Sequence, residues 1–264
     1  MQKRSASAGT TSKGDVYVVG PAFYGVTADV FRENGYRITD KMDTADIIVL
    51  TGGADINPLK FYGEEPLDCV RWNTTRDRTD LYAAQTGVDA GKFMVGICRG
   101  AQLLNCWPNG GTLWQDVDNH GGTIHQVEDH ITGRKWKTNS VHHQMMRIAK
   151  NGNGILVAST SIATRKRAWK EHEGKGVDPE VIYYPETRSL LFQGHPEFGH
   201  PETTEYFFSL MDRYYLGRKP NMIAKDRIIS HDSSSNKDYA YGNYDAEEEG
   251  TPPELLADCI VSQA

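Results

Sequence analysis

The sequence predicts an α/β protein with a mostly parallel central sheet flanked by helices and with a mixed or antiparallel edge. Short apolar runs alternate with segments of helical periodicity through the first half of the chain, and short strand-like runs return near residue 190. Strands that alternate with helices through short connections form parallel sheets covered on both faces. Ligands then bind at the carboxyl ends of the strands.

The first two predicted strands lead towards a candidate ligand-binding turn. Val16–Gly20 is a short apolar run that ends at Gly-Pro, and a predicted helix follows at Thr27–Asn34. The second strand, Asp46–Leu50, runs directly into Thr51-Gly52-Gly53, whose glycines allow a backbone to approach a ligand. The following segment, Asp55–Thr75, is predicted to be a long loop that borders the site.

In the middle of the chain, predicted helices and a predicted strand alternate as before, and an irregular segment follows. Asp77–Ala90 is a predicted helix, Phe93–Ile97 a third buried strand, and Arg99–Cys106 the helix after it. Thr112–Val157 is predicted to be irregular and is rich in histidine.

The last elements are predicted to close the sheet. Arg165–Lys170, Val181–Tyr184 and Ser189–Gln193 are typical of strands at a mixed or antiparallel edge, and Glu202–Tyr215 is a predicted amphipathic helix. We therefore expect a flexible N-terminal segment (1–15), a catalytic domain (16–217), and an acidic tail (218–264) of low apolar content that is flexible or wraps the surface.

Composition excludes several classes of protein. A formal charge of −6 without a block of Lys or Arg argues against nucleic-acid binding, and no run of 18 apolar residues offers a membrane span. The polar first fifteen residues do not resemble a secretory signal, so a cytoplasmic location is expected. Four cysteines without a C-x-x-C pair favour neither a disulfide framework nor a zinc knuckle.

Cys98 is the candidate nucleophile. It is the centre of a G-x-C-x-G pattern (residues 96–100) between a predicted buried strand and a helix, the context that a nucleophile elbow requires. The helix N-terminus also favours thiolate over thiol. A buried structural cysteine is the alternative, which we accept for Cys69, Cys106 and Cys259.

His195 and Glu197 are the candidate base and its orienting carboxylate. In extended backbone, residues i and i+2 point the same way, and Pro196 stiffens that geometry. Glu197 would orient the imidazole and stabilise its charged form. Backbone N–H groups of Arg99 and of the Gly52–Ala54 turn are candidate oxyanion donors, although an ordinary strand-to-helix turn explains the two glycines equally well.

Five segments resemble the class I glutamine amidotransferases, and among them the γ-glutamyl-γ-aminobutyrate hydrolase branch. The elbow and the Q-x-H-P-E segment are two of them; the full set is residues 51–58 followed by 62–65, and residues 98–102, 110–116, 139–144 and 193–197. The resemblance spans roughly residues 16–216. The tail after Arg218 and the segment Cys106-Trp107-Pro108-Asn109 depart from the family pattern.

The resemblance implies a flavodoxin-like class I glutamine amidotransferase fold and a set of site residues. The implied catalytic residues are Cys98, His195 and Glu197, and the implied oxyanion donors are Gly53, Ala54 and Arg99. Gln102 is implied to contact the glutamyl side chain, and His142 to lie at the pocket edge. No cofactor and no metal are expected.

The expected activity is hydrolysis of glutamine or γ-glutamyl amides through a glutamyl thioester. A glutaminase that hands ammonia to a separate synthetase is one interpretation, since the chain shows no ATP-binding loop, and a free-standing γ-glutamyl peptidase is the close alternative. A metal-dependent hydrolase using the histidines between His120 and His143 is remote, because their five-residue steps do not share a helical face and no H-E-x-x-H occurs. A non-catalytic module whose acidic tail recruits a partner is equally remote.

Overall fold

A nine-stranded sheet with helices on both faces forms the centre of the computed structural model, which describes residues 12–20, 23–150, 153–162, 165–174 and 176–218. The strands in chain order are β1 (Asp15–Val19), β2 (Arg37–Ile38), β3 (Ile47–Leu50), β4 (Phe93–Ile97), β5 (Thr112–Trp114), β6 (Asp116–Val117), β7 (Gly121–Asp129), β8 (Lys135–Val141), β9 (Met145–Arg147), β10 (Ile155–Thr160), β11 (Lys166–Arg167), β12 (Asp178–Tyr184) and β13 (Ser189–Phe192). The helices are α1 (Tyr24–Glu33), α2 (Pro58–Tyr62), α3 (Thr74–Asp89), α4 (Arg99–Cys106) and α5 (Pro201–Tyr214), and a 3-10 turn covers Pro196–Phe198.

The sheet has a parallel half and an antiparallel half. Its strand order is β2-β1-β3-β4-β13-β12-β10-β7-β8. Pairing is parallel from β2 through β13 and antiparallel from β13 to β8. The predicted fold class, including its antiparallel edge, is confirmed. Strands β4 and β13 are parallel neighbours, so the residues that follow them emerge side by side.

Each face of the sheet carries its own apolar core. Along β3, Ile47 and Val49 pack with one group of residues, while Ile48 and Leu50 pack with the other. The first group includes apolar residues of α1 and α5, and the second those of α3 and α4. All four residues of β3 are buried, as expected for a strand covered on both faces.

The prediction of an irregular segment at Thr112–Val157 is wrong. This segment holds β5 to β9 and the start of β10, and its largest part is the β7–β8 hairpin. Along β7 the side chains of His125, Val127 and Asp129 are buried and alternate with exposed ones. Two of the three inward residues are polar, which hides the alternation that normally marks a half-buried strand.

Three other element predictions need correction. The predicted loop Asp55–Thr75 contains α2, which begins after Asn57 because the Asn57 side chain accepts a hydrogen bond from Lys60 N (3.2 Å). Asn73 likewise caps α3 through Arg76 N (2.9 Å), so that helix starts before Asp77. The predicted strand Arg165–Lys170 is reduced to Lys166–Arg167, which pairs with β6 outside the main sheet.

The predicted terminal segments lie mostly beyond the described part of the chain. Residues 1–11 and 219–264, and with them Cys259, are outside it, so the division at residues 15 and 217 stays a prediction. No helix among the described residues combines the length and the apolar character needed to cross a membrane.

Candidate active site

Cys98 lies on a tight turn between β4 and α4, at the carboxyl end of the parallel strands. Its backbone has φ 49° and ψ −108°, a conformation that is costly for a non-glycine residue. The Cys98 N–H donates to Phe192 O on β13 (2.8 Å), which fixes the turn to the neighbouring strand. Cys98 is 5% exposed at the start of α4. This backbone geometry is that of the predicted elbow.

The two glycines of the elbow are required by close backbone contacts. A Cβ on Gly96 would lie 2.5 Å from the backbone of Ala101, and one on Gly100 would lie 2.1 Å from Leu50 O. Real Cβ atoms do not approach backbone atoms this closely, so any larger residue would push α4 away from β3.

We expect Gly100→Ala to lower the free energy of unfolding by about 1–3 kcal/mol, the usual cost of overpacking a closed site. Urea denaturation measures this change. Gly25→Ala, at an open position of α1, is the matched control and should cause no loss. Equal stability of Gly100→Ala and wild type would contradict the close contact with Leu50.

His195 and Glu197 follow β13, the strand beside the elbow. His195 Nδ1 and Glu197 Oε1 lie 2.7 Å apart. The imidazole stacks on Phe198 with ring centroids 4.3 Å apart, and Phe23 contacts it edge-on at 6.0 Å. Apolar rings on two sides restrict the imidazole to the plane that Glu197 selects.

The charge on His195 is stabilised strongly. Burial alone would lower the pKa of His195, but the Glu197 carboxylate and then the nearby Cys98 sulfur raise it from its usual 6.5 to about 10. The structure thus brings sulfur, imidazole and carboxylate together. Such an arrangement can hold a proton on His195 at neutral pH and pass it to a leaving group.

Asn139 is a site residue that the sequence interpretation did not single out. Its side-chain amide accepts from His195 N (2.8 Å) and donates to His195 O (2.7 Å), so both backbone groups of the histidine are fixed by one side chain. Asn139 lies on β8, in the segment 139–144 that contributed to the family resemblance. That resemblance marked the segment, but the role of Asn139 depends on a contact 56 residues along the chain.

The predicted oxyanion residues surround the elbow. Gly53 and Ala54 follow β3, which pairs with β4, and Arg99 is the first residue of α4. A Cβ on Gly52 would lie 2.7 Å from His195 Cε1, so this turn passes directly against the imidazole. Arg99 therefore follows Cys98 directly, Gly53 and Ala54 follow the strand that pairs with β4, and the role of all three as donors stays a prediction.

Gln102 and His142 are engaged with protein groups. The Gln102 side chain donates to Gln144 O (3.2 Å), and His142 Nδ1 donates to the same carbonyl (2.8 Å). Burial, together with the nearby His120, holds the pKa of His142 well below its usual range, so this imidazole is neutral. Gln102 thereby fixes the 142–144 segment over α4, and direct contact of either side chain with substrate stays a prediction.

The other histidines between residues 120 and 143 form ion pairs and hydrogen bonds. His143 Nε2 lies 3.0 Å from Asp55 Oδ1; burial lowers the pKa of His143, but Asp55 and Asp116 raise it well above its usual value. His125 Nε2 lies 2.8 Å from Glu180 Oε1. His120 directly precedes β7 and His125 lies on it, with ring centroids 5.1 Å apart. The argument that five-residue steps do not share a helical face therefore does not apply to this pair.

Two groups among the described residues have side chains that suit a metal ion. Their ligand atoms lie within 4.8 Å of one another in each group, namely Cys69, Asp116 and His143, and His120, His125 and Glu180. In the second group His125 Nε2 already lies 2.8 Å from Glu180 Oε1, His120 Nδ1 lies 3.1 Å from Ser140 Oγ, and His120 Nε2 lies 3.0 Å from Asp178 Oδ2, so these ring nitrogens have protein partners. Metal analysis of the purified protein tests the metal-dependent alternative.

Comparison with known proteins identifies the family. The profile of the Peptidase C26 family matches residues 26–165. The chain is 33% identical over 202 residues to the putative glutamine amidotransferase-like protein YvdE of Lactococcus lactis subsp. lactis (strain IL1403), covering 64% of this chain and 78% of that protein. This chain belongs to the Peptidase C26 family, a class I glutamine amidotransferase-like family of cysteine hydrolases.

More distant relatives and solved structures agree with the fold. A putative glutamine amidotransferase of Mycobacterium tuberculosis (strain ATCC 25618 / H37Rv) is 28% identical over 175 residues, 59% of this chain and 52% of that protein. A glutamine amidotransferase from Thermotoga maritima superimposes with a TM-score of 0.50 at 13% identity, covering 78% of this chain and 86% of that one. A putative GMP synthase subunit from Thermoplasma acidophilum superimposes with a TM-score of 0.51 at 18% identity, covering 76% of this chain and 96% of that one. At these identities the two structures show a shared fold only.

Proposed function

We propose that this protein hydrolyses the γ-amide bond of glutamine or of γ-glutamyl amines, with Cys98 as nucleophile, His195 as acid and base, and Glu197 as the residue that orients His195. The observation that carries the proposal is the convergence, at the carboxyl ends of the neighbouring strands β4 and β13, of a strained cysteine, an imidazole whose pKa is raised to about 10, and its carboxylate partner. Membership of a family of amide-cleaving cysteine hydrolases supports it.

The first half of the reaction forms a thioester. The Cys98 thiolate attacks the δ-carbon of the substrate, a C–S bond forms, and the carbonyl π electrons move to oxygen. The N–H groups of Arg99 and of Gly53 or Ala54 stabilise that oxyanion. As the tetrahedral intermediate collapses, the C–N bond breaks and His195 gives its proton to the departing amine.

The second half releases glutamate. His195, now neutral, takes a proton from water while the water oxygen attacks the thioester carbon. Collapse of the second oxyanion breaks the C–S bond and restores the Cys98 thiolate beside the protonated imidazole. The products are glutamate and, according to the substrate, ammonia or a larger amine.

The identity of the leaving amine distinguishes the two forms of this proposal. If the protein resembles the γ-glutamyl-γ-aminobutyrate hydrolase branch in function, γ-glutamyl-aminobutyrate or γ-glutamyl-putrescine is cleaved in preference to glutamine. If it supplies ammonia to a separate synthetase, glutamine is preferred.

A panel assay of glutamate release tests the proposal. Glutamine, γ-glutamyl-aminobutyrate and γ-glutamyl-putrescine are the substrates, and asparagine, whose carbonyl is one methylene too close to the α-carbon, is the matched negative control. We expect glutamate from at least one γ-amide and no aspartate from asparagine, whose hydrolysis is followed by aspartate release. Absence of glutamate release from all three, by folded protein whose Cys98 reacts with iodoacetamide, would refute the proposal.

A further inference from the structure

Four buried charged side chains lie behind the proposed oxyanion donors. Arg76, Asp77 and Asp80 belong to α3 and Arg99 begins α4, and none of the four is more than 6% exposed. Arg99 donates from Nη2 to Asp77 (2.6 Å) and from Nη1 to Asp80. Arg76 Nε donates to the other oxygen of Asp80 (2.9 Å). Two positive and two negative charges thus compensate one another inside the protein.

Arg76 extends this network to the backbone after β3. Its Nη2 donates one hydrogen bond to Thr51 Oγ1 (2.8 Å) and one to Gly52 O (3.3 Å). A Cβ on Gly53 would lie 3.5 Å from Arg76 Nη1 and 3.6 Å from Arg99 Cδ. The two arginines therefore sit directly behind the oxyanion turn.

The hydrogen bond to Gly52 O has a geometric consequence for Gly53. The carbonyl of Gly52 and the N–H of Gly53 belong to one planar trans peptide, so they point in opposite directions. Fixing Gly52 O against Arg76 therefore aims the Gly53 N–H away from α3. The turn is also glycine-rich, and without an external constraint its peptide planes could rotate at little cost.

We propose that Arg76 is a positioning residue that aligns the oxyanion donors on both sides of Cys98 through a shared carboxylate. The Asp80 carboxylate accepts hydrogen bonds from the side chains of both Arg76 and Arg99. Arg76 fixes the turn at Gly52-Gly53, and the backbone N–H of Arg99 is the second proposed donor. The Asp77 carboxylate accepts a hydrogen bond from Arg99 Nη2 and another from Asn57 N (3.2 Å), which follows the turn in the sequence. This inference rests on the proposed function, because it assigns a role to oxyanion donors. Arg76 does not touch substrate in this account.

The test compares Arg76→Gln, Arg76→Lys and wild type in two kinds of assay. Because aligned donors act in the transition state, we expect Arg76→Gln to lower kcat about 100-fold, the usual loss of one oxyanion donor, with little change in KM. Arg76→Lys keeps the charge without the planar fork and should recover part of the loss. Arg78→Gln, at an exposed position of the same helix, is the matched control and should behave as wild type.

A second assay separates positioning from general damage. Glutarate semialdehyde, the γ-aldehyde without the α-amino group, forms a tetrahedral adduct with the thiolate that needs the oxyanion donors, whereas alkylation by iodoacetamide does not. We expect Arg76→Gln to weaken aldehyde binding by roughly the same factor as kcat and to leave the rate of Cys98 alkylation unchanged. Unchanged aldehyde binding, or an equal loss of alkylation, would overturn the inference. Absence of turnover by wild type would instead count against the proposed function.

Discussion

Replacement of Cys98 by alanine is expected to abolish glutamate release. Loss of the nucleophile of a catalytic triad lowers turnover on the order of 10⁶-fold, because neither water nor the remaining residues can form the covalent intermediate. The Cys98 side chain is small and lies on a turn whose backbone contacts, including the bond from Cys98 N to Phe192 O, do not involve sulfur. The variant should therefore fold. Steady-state glutamate release measures the effect.

Cys106→Ala is the matched control for this substitution. Cys106 is also a buried thiol, at the end of α4, but it packs in the apolar core on the α3 and α4 face of the sheet. Its loss should reduce stability slightly and leave turnover near that of wild type. Residual glutamate release by Cys98→Ala within tenfold of Cys106→Ala would contradict the assignment of Cys98 as nucleophile.

Replacement of Glu197 by glutamine is expected to lower kcat by about 10⁴-fold, the effect of neutralising the orienting carboxylate of a triad. Glu197 is nearly isosteric with glutamine and its Oε1 lies 2.7 Å from His195 Nδ1, so the substitution removes charge with little change in shape. An uncharged amide can also present its N–H₂ group to Nδ1, which would favour the wrong imidazole tautomer.

The pH profile gives a second readout of the same substitution. Burial opposes the charge on His195, while Glu197 and then Cys98 raise its pKa to about 10. The proton that His195 must deliver is therefore present at neutral pH and is lost as pH rises through about 10. Without the Glu197 charge the pKa falls, so the alkaline decline of kcat/KM, which reports the free enzyme, should begin at lower pH. Glu205→Gln, an exposed position on α5, is the control. An unshifted alkaline limb in Glu197→Gln would contradict the role of Glu197.

The parts of the fold that the sequence predicts well are those governed by local pattern. Phe93–Ile97 is an apolar run bounded by a glycine and by the helix of Arg99, and it forms the buried strand β4 as expected. The β7–β8 hairpin was not predictable in the same way. Its inward residues include His125 and Asp129, whose burial depends on Glu180 and Arg213 in distant parts of the chain.

The residues of the candidate site also differ in whether a local motif or a long-range contact defines their role. Cys98, His195 and Glu197 lie in short motifs whose backbone requirements are local, so sequence alone brings them forward as candidates. Asn139 gains its role from a contact 56 positions away along the chain and Arg76 from one 24 positions away, which no local pattern encodes. A buried arginine paired with carboxylates is visible only after α3, α4 and the end of β3 have packed together.

Trapping of the covalent intermediate tests the central claim most directly. The protein is mixed with its best γ-glutamyl substrate, quenched in acid within the first turnovers, digested and examined by mass spectrometry. We predict that the peptide containing Cys98 gains the mass of one glutamyl group in wild type and that this adduct accumulates when deacylation is slowed. Hydrolysis with no modification of Cys98 at any quench time, or a glutamyl group on another residue, would contradict the account.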